Sequence, residues 1–189
     1  MKDLKNLSTG FCNFGTKADT LNNLRSLVHS ATILPLLKLT YKEWDLKQSE
    51  LIDYILVQEW AKSSLIVRSS ACVEDALGAS NAGKYRTISN VNGRSQLINA
   101  INTVFSSYGT PNDDDQVFIQ PMITEIRLSG VASSKDPSTN APYIIINWTE
   151  GSDTCAVTSG RGTRIKTWFG VRGNSVYPPN EDISSIVNL

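Results

Sequence analysis

The residues best suited to bind an anion lie within Leu65–Val91. This stretch begins with a short apolar run that is typical of a buried strand, and Arg68 lies at the end of that run. A loop of small residues follows at 78–83. The planar guanidinium of arginine matches phosphate oxygens, and small residues let backbone N–H groups approach an anion closely. The pattern indicates a polyphosphate site. The alternative is a surface hairpin in which Arg68 pairs with Glu74 or Asp75.

A second candidate cation stands near the N-terminus. Lys17 follows Gly15 and Thr16 and opens a helical pattern whose apolar face carries Leu21 and Leu24, and then Leu27 and Val28. A lysine in the first turn of a helix can face an anion, because the helix dipole and free N–H groups favour negative charge there. An exposed first-turn lysine without a ligand is the alternative.

Composition restricts the class of protein. The 189 residues carry 18 basic and 18 acidic side chains, and no basic block runs along the chain, which argues against a nucleic-acid partner. No stretch reaches the length of a membrane span. The three scattered cysteines show no metal-ligand spacing, so we expect a cytoplasmic protein. The adjacent acids at 113–115 predict a solvated turn rather than a metal site.

Apolar periodicity predicts alternating helices and strands. We expect a strand in Ile33–Leu39, a helix over about Ser49–Ala61 with Ser49 as its N-cap, and a helix over about Ser95–Tyr108. Strands are predicted at Val117–Ile123, at 128–134, at Tyr143–Trp148 and, as a hairpin, from Thr163 to Tyr177, before a final helix starting near Ile183. Trp44 and Trp60 are expected to be packing residues.

The sequence VRSSACVEDALGASNAGKYRTISNV closely resembles a motif of the phosphoenolpyruvate synthase and pyruvate phosphate dikinase family. In that family an Arg-Ser-Ser-Ala stretch leads through Glu-Asp to an Ala-Ser-x-Ala-Gly loop and a strand ending in Asn-Val. The segment belongs to an N-terminal, ATP-grasp-like nucleotide-binding domain. The resemblance implies that Arg68 meets the ATP phosphates and that Gly83 and Thr87 line the same site.

Other segments extend the resemblance over most of the chain. The family's Gly-Gly-Lys-type element implies that Lys17 reaches ATP phosphates, although Thr16 replaces the second glycine here. The family's Val-Gln-x-Met-Val segment carries the adenine-binding hinge, which implies adenine contacts for Gln120 and Met122. Adenine needs a flat apolar slot with a few amide or main-chain partners at its edge. The Asp-Pro-x-Thr-Gly turn of the family is matched at 136–140, with Asn140 in place of glycine.

These features predict an α+β or α/β protein with an ATP-grasp-like fold, as an incomplete N-terminal fragment of a larger enzyme. Residues 1–110 would form a first lobe with Lys17 and the Arg68 motif, and residues 111–189 a truncated second lobe with the adenine hinge. The implied ligands are ATP and Mg²⁺, with the family's magnesium ligands expected beyond Leu189. The implied partners are the downstream phosphohistidine and acceptor domains of the parent chain.

The leading functional hypothesis is the ATP-binding portion of an ATP-dependent phosphotransferase that is inactive as a fragment. Alternatives within the family are a specialised member, such as a capsule-biosynthesis glutamine kinase or an antibiotic phosphotransferase. A non-catalytic nucleotide-binding module and a structural remnant that binds nothing are alternatives from other classes. Retention of Lys17, Arg68, Gly83, Thr87 and Gln120 argues against the remnant.

Overall fold

The computed structural model describes residues 15–71, 85–151, 165–171 and 178–187, and the chain divides into two compact units, Met1–Met122 and Ile123–Leu189. The elements of the first unit are α1 (Lys17–Leu24), β1 (Leu37–Thr40), α2 (Tyr41–Leu56), a 3-10 helix (Glu59–Lys62), β2 (Leu65–Ser70), β3 (Thr87–Val91), α3 (Gly93–Ser106) and β4 (Gln116–Pro121). Those of the second unit are β5 (Leu128–Ser133), β6 (Tyr143–Glu150), β7 (Lys166–Val171) and α4 (Glu181–Val187).

The first unit is built on a four-stranded sheet in the order β1-β4-β2-β3. Each neighbouring pair of strands is antiparallel, so alternate side chains of every strand point to opposite faces. One face packs against α2 and α3. The core on that side is formed by fully or nearly fully buried side chains from both layers: Leu39, Trp44, Ile52, Ile55, Leu65, Val67, Val91, Leu97, Ile101, Val104, Phe105, Val117 and Ile119.

The helix predicted to begin at Ser49 begins at Tyr41 instead. Thr40 is its N-cap and forms a capping box with Glu43: each side chain hydrogen-bonds the backbone N–H of the other. This pairing satisfies two N–H groups that a helix end otherwise leaves without a partner. The backbone leaves helical geometry at Lys47, where φ is −135°. Ser49 therefore lies inside the helix, and its prediction as an N-cap is wrong.

The second unit is a three-stranded antiparallel sheet, β5-β6-β7, with α4 against one face. Ile146, Trp148 and Ile183 form its buried centre. Gly130 allows β5 to approach β6 closely, because a Cβ at this position would lie 2.3 Å from the carbonyl oxygen of Asn147. Asn140 has a φ of 58°, as expected for the residue that replaces glycine in the 136–140 turn.

The architecture is mixed α and β with antiparallel sheets, which agrees with the α+β alternative of the predicted fold class. The helix expected near 95–108 and the strands expected near 117–123, 128–134 and 143–148 are present with small shifts at their ends. The strand expected at Ile33–Leu39 shortens to β1. The helix at Lys17 buries only Ala18, and Leu27 is half exposed after the helix has ended.

The compact units divide after residue 122 because β4 pairs with β1 and β2 of the first sheet. The two functional lobes expected at 1–110 and 111–189 stay a prediction. Within the ranges that the structure describes, no helix is long and apolar enough to cross a membrane.

Candidate functional site

Three of the predicted ligand residues, Arg68, Thr87 and Gln120, lie on the sheet face opposite α2 and α3, each on a different strand. Arg68 on β2 stands directly opposite Thr87 on β3 and, on its other side, opposite Phe118 on β4. Gln120 lies two residues beyond Phe118, so its side chain is on the same face. Directly opposed Cβ atoms in antiparallel strands are about 4.5–5.5 Å apart. A ligand lying on this face would therefore meet side chains from all three strands.

Arg68 is partly buried and lies over an aromatic ring. Its guanidinium carbon is 5.6 Å from the ring centroid of Phe118, which is fully buried. A cation over an aromatic face is stabilised by about 0.5–2 kcal/mol, depending on how far it is shielded from water. This stacking restricts the guanidinium to the sheet face and reduces the side-chain entropy that a bound anion would otherwise have to overcome.

Gln120 lies near the end of β4, and Met122 follows the last residue of that strand. Gln120 is only 6% exposed, and the hydrogen bonds among the described residues do not include its side-chain amide. The Met122 sulfur accepts the N–H of Asn90 at 3.2 Å, while the Met122 N–H donates to the carbonyl of Ser64 at 2.8 Å. These contacts fix the thioether beside β3. The adenine contacts expected of Gln120 and Met122 stay a prediction.

Lys17 is brought to the opposite end of the same face. It is the first residue of α1, whose N-cap is Thr16. The next amide, that of Ala18, donates to Ser70 Oγ at 2.9 Å, and Ser70 follows Arg68 by two residues on β2. Because alternate strand residues share a face, this hydrogen bond places the start of α1 on the Arg68 side of the sheet. Thr16, which replaces the second glycine of the family element, serves here as a helix cap.

Asp19 in the first turn of α1 carries a carboxylate with several donors. Partial burial raises its pKa, but hydrogen bonds from Lys38, Thr16 and Gln116, together with the Lys38 charge, outweigh burial and hold the pKa of Asp19 below its usual value. Asp19 therefore remains ionised at neutral pH. Its negative charge faces the ammonium group of Lys38 on β1.

The remaining predictions for this site concern Gly83 and the acidic residues. Gly83 and the acids Glu74 and Asp75, which carry the hairpin alternative for Arg68, lie outside the described residues. Asp115 was expected to be solvated but is 3% exposed, because its carboxylate accepts the N–H of Asn112 at 2.8 Å and forms part of the turn. In the ranges given above, no cluster of His, Cys, Asp and Glu side chains is suited to hold a metal ion.

Sequence reasoning missed three residues of this face: Lys38, Gln116 and Phe118. The spacing of Thr16 and Asp19 is a sequence pattern typical of a helix N-terminus: a hydroxyl side chain caps the helix and an acid follows three residues later. It would have fixed the start of α1. The contacts of Gln116 with Thr16, and of Phe118 with Arg68, depend on strand register and give no local signal.

Comparison with known proteins gives one family match. Residues 42–113 match the family described as pyruvate phosphate dikinase, AMP/ATP-binding domain. This stretch contains Arg68, Gly83 and Thr87, and it excludes Lys17 and the Gln120–Met122 segment. No curated protein matches the chain significantly.

Among solved structures, the crystal structure of PH1788 from Pyrococcus horikoshii Ot3 is 14% identical, with a TM-score of 0.45 over 84% of this chain. The matched region spans 57% of the length of that structure. The family match includes the motif around Arg68, and it confirms the resemblance of this region to the AMP/ATP-binding domain of pyruvate phosphate dikinase.

Proposed function

We propose that the first unit binds ATP on the sheet face that carries Arg68, as the nucleotide-binding portion of an ATP-dependent phosphotransferase. The single observation that carries the proposal is the register of β2, β3 and β4, which sets Arg68 opposite Thr87 and places Gln120 on the same face. The family match supports nucleotide binding by the same region. An ATP-grasp-like arrangement of the whole domain is part of the proposal.

The positions along the sheet suggest the direction of the nucleotide. The adenine would lie at the Gln120 end, where a nearly buried amide and the Met122 thioether offer a polar partner and an apolar surface. The phosphates would lie toward Arg68 and Lys17. Thr87 is exposed beside Arg68 and can offer its hydroxyl to a phosphate or ribose oxygen, and Gly83 is assigned to the same phosphate region through the family resemblance.

The chemistry of this arrangement is charge neutralisation and positioning. Phosphoryl transfer depends mainly on holding the reacting groups in line and on offsetting the charge of the phosphate oxygens. Arg68 and Lys17 supply two positive charges for that purpose. Mg²⁺, when bound to the phosphates, would supply further neutralisation, and we propose no ligand for it among the described residues. The phosphoryl acceptor and the downstream carrier domain belong to the proposed parent enzyme.

Calorimetric titration with ATP and magnesium tests the proposal. Arg68→Ala should weaken ATP binding roughly tenfold to a hundredfold, since a hydrogen bond to a charged group contributes about 1.5–3 kcal/mol. Arg94→Ala is the matched control: it removes an exposed arginine of the same unit that pairs with Asp53, and it should leave binding unchanged.

Melting curves without ligand establish that each variant is folded. Arg68→Lys serves as a second variant that keeps the charge but loses the planar fork of donors. Absence of ATP binding by the unmodified chain would overturn the proposed function. Equal affinities for the unmodified chain and Arg68→Ala would remove Arg68 from the site.

A further inference from the structure

A polar cluster surrounds the first turn of α1 and joins it to two strands. The Thr16 hydroxyl lies 2.8 Å from both Asp19 Oδ2 and Gln116 Oε1, so its single proton can be donated to either. Gln116 Nε2 donates to Asp19 Oδ2 at 3.3 Å, and Lys38 pairs with the other oxygen of Asp19. Asp19 and Gln116 therefore tie the start of α1 to β1 and β4.

A second set of hydrogen bonds holds the same turn from β2. Ser70 Oγ accepts the Ala18 N–H, and the Ser70 N–H donates to the Tyr108 hydroxyl at 3.0 Å. The Tyr108 hydroxyl in turn donates to the carbonyl of Gln116 at 2.6 Å. Ser70 is fully buried and Gln116 is 8% exposed, so most of this network is shielded from water. Shielding strengthens each hydrogen bond and makes an unmade one costly.

The network fixes the residues on either side of Lys17 in the sequence. Thr16, the residue before it, is held by its side chain, and Ala18, the residue after it, is held by its backbone N–H. A long lysine side chain has about 2 kcal/mol of rotamer freedom, but the position of its Cα is fixed by these two neighbours. Lys38 neutralises Asp19, which limits the repulsion that a carboxylate two residues from Lys17 would exert on phosphates.

We propose that Asp19 and Gln116 are positioning residues that fix the first turn of α1 and thereby direct Lys17 toward the phosphates of ATP. The inference rests on the proposed ATP site and adds two residues that do not themselves contact the nucleotide. It predicts that loss of either residue weakens the binding of phosphate groups and spares the binding of the nucleoside.

The first test compares ligands with and without phosphates. Asp19→Asn and, as a second variant, Gln116→Met should each weaken ATP binding about two- to thirtyfold, the range for residues that act through an intermediate group. Adenosine binding, measured in the same way, should change less than about twofold. Asp53→Asn is the control: it breaks an exposed ion pair between Asp53 on α2 and Arg94 on α3, and it should alter neither affinity.

The second test is a double-mutant cycle with Lys17→Ala. If Asp19 acts through Lys17, Asp19→Asn should have little further effect on ATP affinity once Lys17 is removed, since residues that act as a unit are non-additive. If Asp19 had only a general structural role, Asp19→Asn would weaken the binding of ATP and of adenosine equally. Its effect on ATP affinity would also add to that of Lys17→Ala. Either of those results overturns the inference while the proposed function stands. Failure of the unmodified chain to bind ATP overturns both.

Discussion

Two glutamines of β4 lie on the same sheet face but have different surroundings. The Gln116 side chain hydrogen-bonds Thr16 and Asp19, whereas the described residues provide no hydrogen bond for the Gln120 amide. Both are nearly buried, at 8% and 6% exposure. The Gln116 amide therefore contributes to the fold through its hydrogen bonds, whereas the described contacts give the Gln120 amide no such part.

We expect Gln120→Leu to leave the ligand-free protein as stable as the unmodified chain or more stable, while adenine nucleotide binding weakens. Leucine has a similar volume, and no hydrogen bond among the described residues depends on the Gln120 amide. Gln116→Leu, the matched comparison, should lower the free energy of unfolding by about 1–3 kcal/mol because it leaves hydrogen-bond partners unsatisfied. Urea unfolding without ligand measures both. Destabilisation of equal size in the two variants would show that Gln120 already has a partner.

At the scale of elements, threonines determine where the two N-terminal helices begin. Thr16 caps α1 and Thr40 caps α2, and each is followed three residues later by an acid, Asp19 or Glu43. The cap of α2 also fixes the direction of the chain as it leaves β1, because the strand ends at the capping residue itself.

Thr40→Ala should lower the free energy of unfolding by about 1 kcal/mol, the usual cost of removing a helix N-cap. Ser49→Ala should cost less than about 0.5 kcal/mol, because Ser49 makes only an exposed hydrogen bond with Arg94. Chemical denaturation of the two variants checks the difference. A larger loss of unfolding free energy from Ser49→Ala than from Thr40→Ala would mean that the helix begins at Ser49, as the apolar stripe alone predicts.

The sequence predicted most elements because their apolar residues repeat at helical or strand spacing. The helix at 93–106 was found from its stripe, and the buried strand at 116–121 from its apolar run. The apolar stripe alone misplaces the start of α2, because the stripe begins several residues after the capping box of Thr40 and Glu43. The Arg68 motif was read from its order of residues, whereas its stacking on Phe118 depends on the pairing of β2 with β4, which no local pattern encodes.

At the scale of the whole molecule, the described part of each unit contains a carboxylate whose pKa is lowered: Asp19 in the first unit and Asp136 in the second. In the first unit, burial opposes the shift of Asp19, but hydrogen bonds and the Lys38 charge outweigh it. In the second, backbone N–H groups of Thr139 and Ser138 bind Asp136 and lower its pKa. A carboxylate with a lowered folded-state pKa stabilises the protein above its unfolded pKa of about 3.9. That contribution is lost as the pH falls through the folded pKa.

We therefore expect the free energy of unfolding to fall as the pH drops below about 4, and to fall less steeply in Asp19→Asn and in Asp136→Asn. The asparagine side chain does not titrate, so each variant removes one proton-linked contribution. Urea unfolding at a series of pH values between about 3 and 7 gives the slopes. Parallel slopes for the unmodified chain and both variants would contradict the lowered pKa values.

The central place of β4 in its sheet has a consequence for synthesis of the protein. β4 is the last strand of the first unit to be made, yet it separates β1 from β2. Ribosomes add about 5–20 residues per second, so the roughly 80 residues between the starts of β1 and β4 take about 4–16 s. β1 exposes an unpaired edge and apolar side chains throughout that interval, and β2 does so from its own synthesis until β4 follows. A chaperone that binds extended apolar segments would find its target in the nascent chain during those seconds and lose it once residue 121 has been added and can pair.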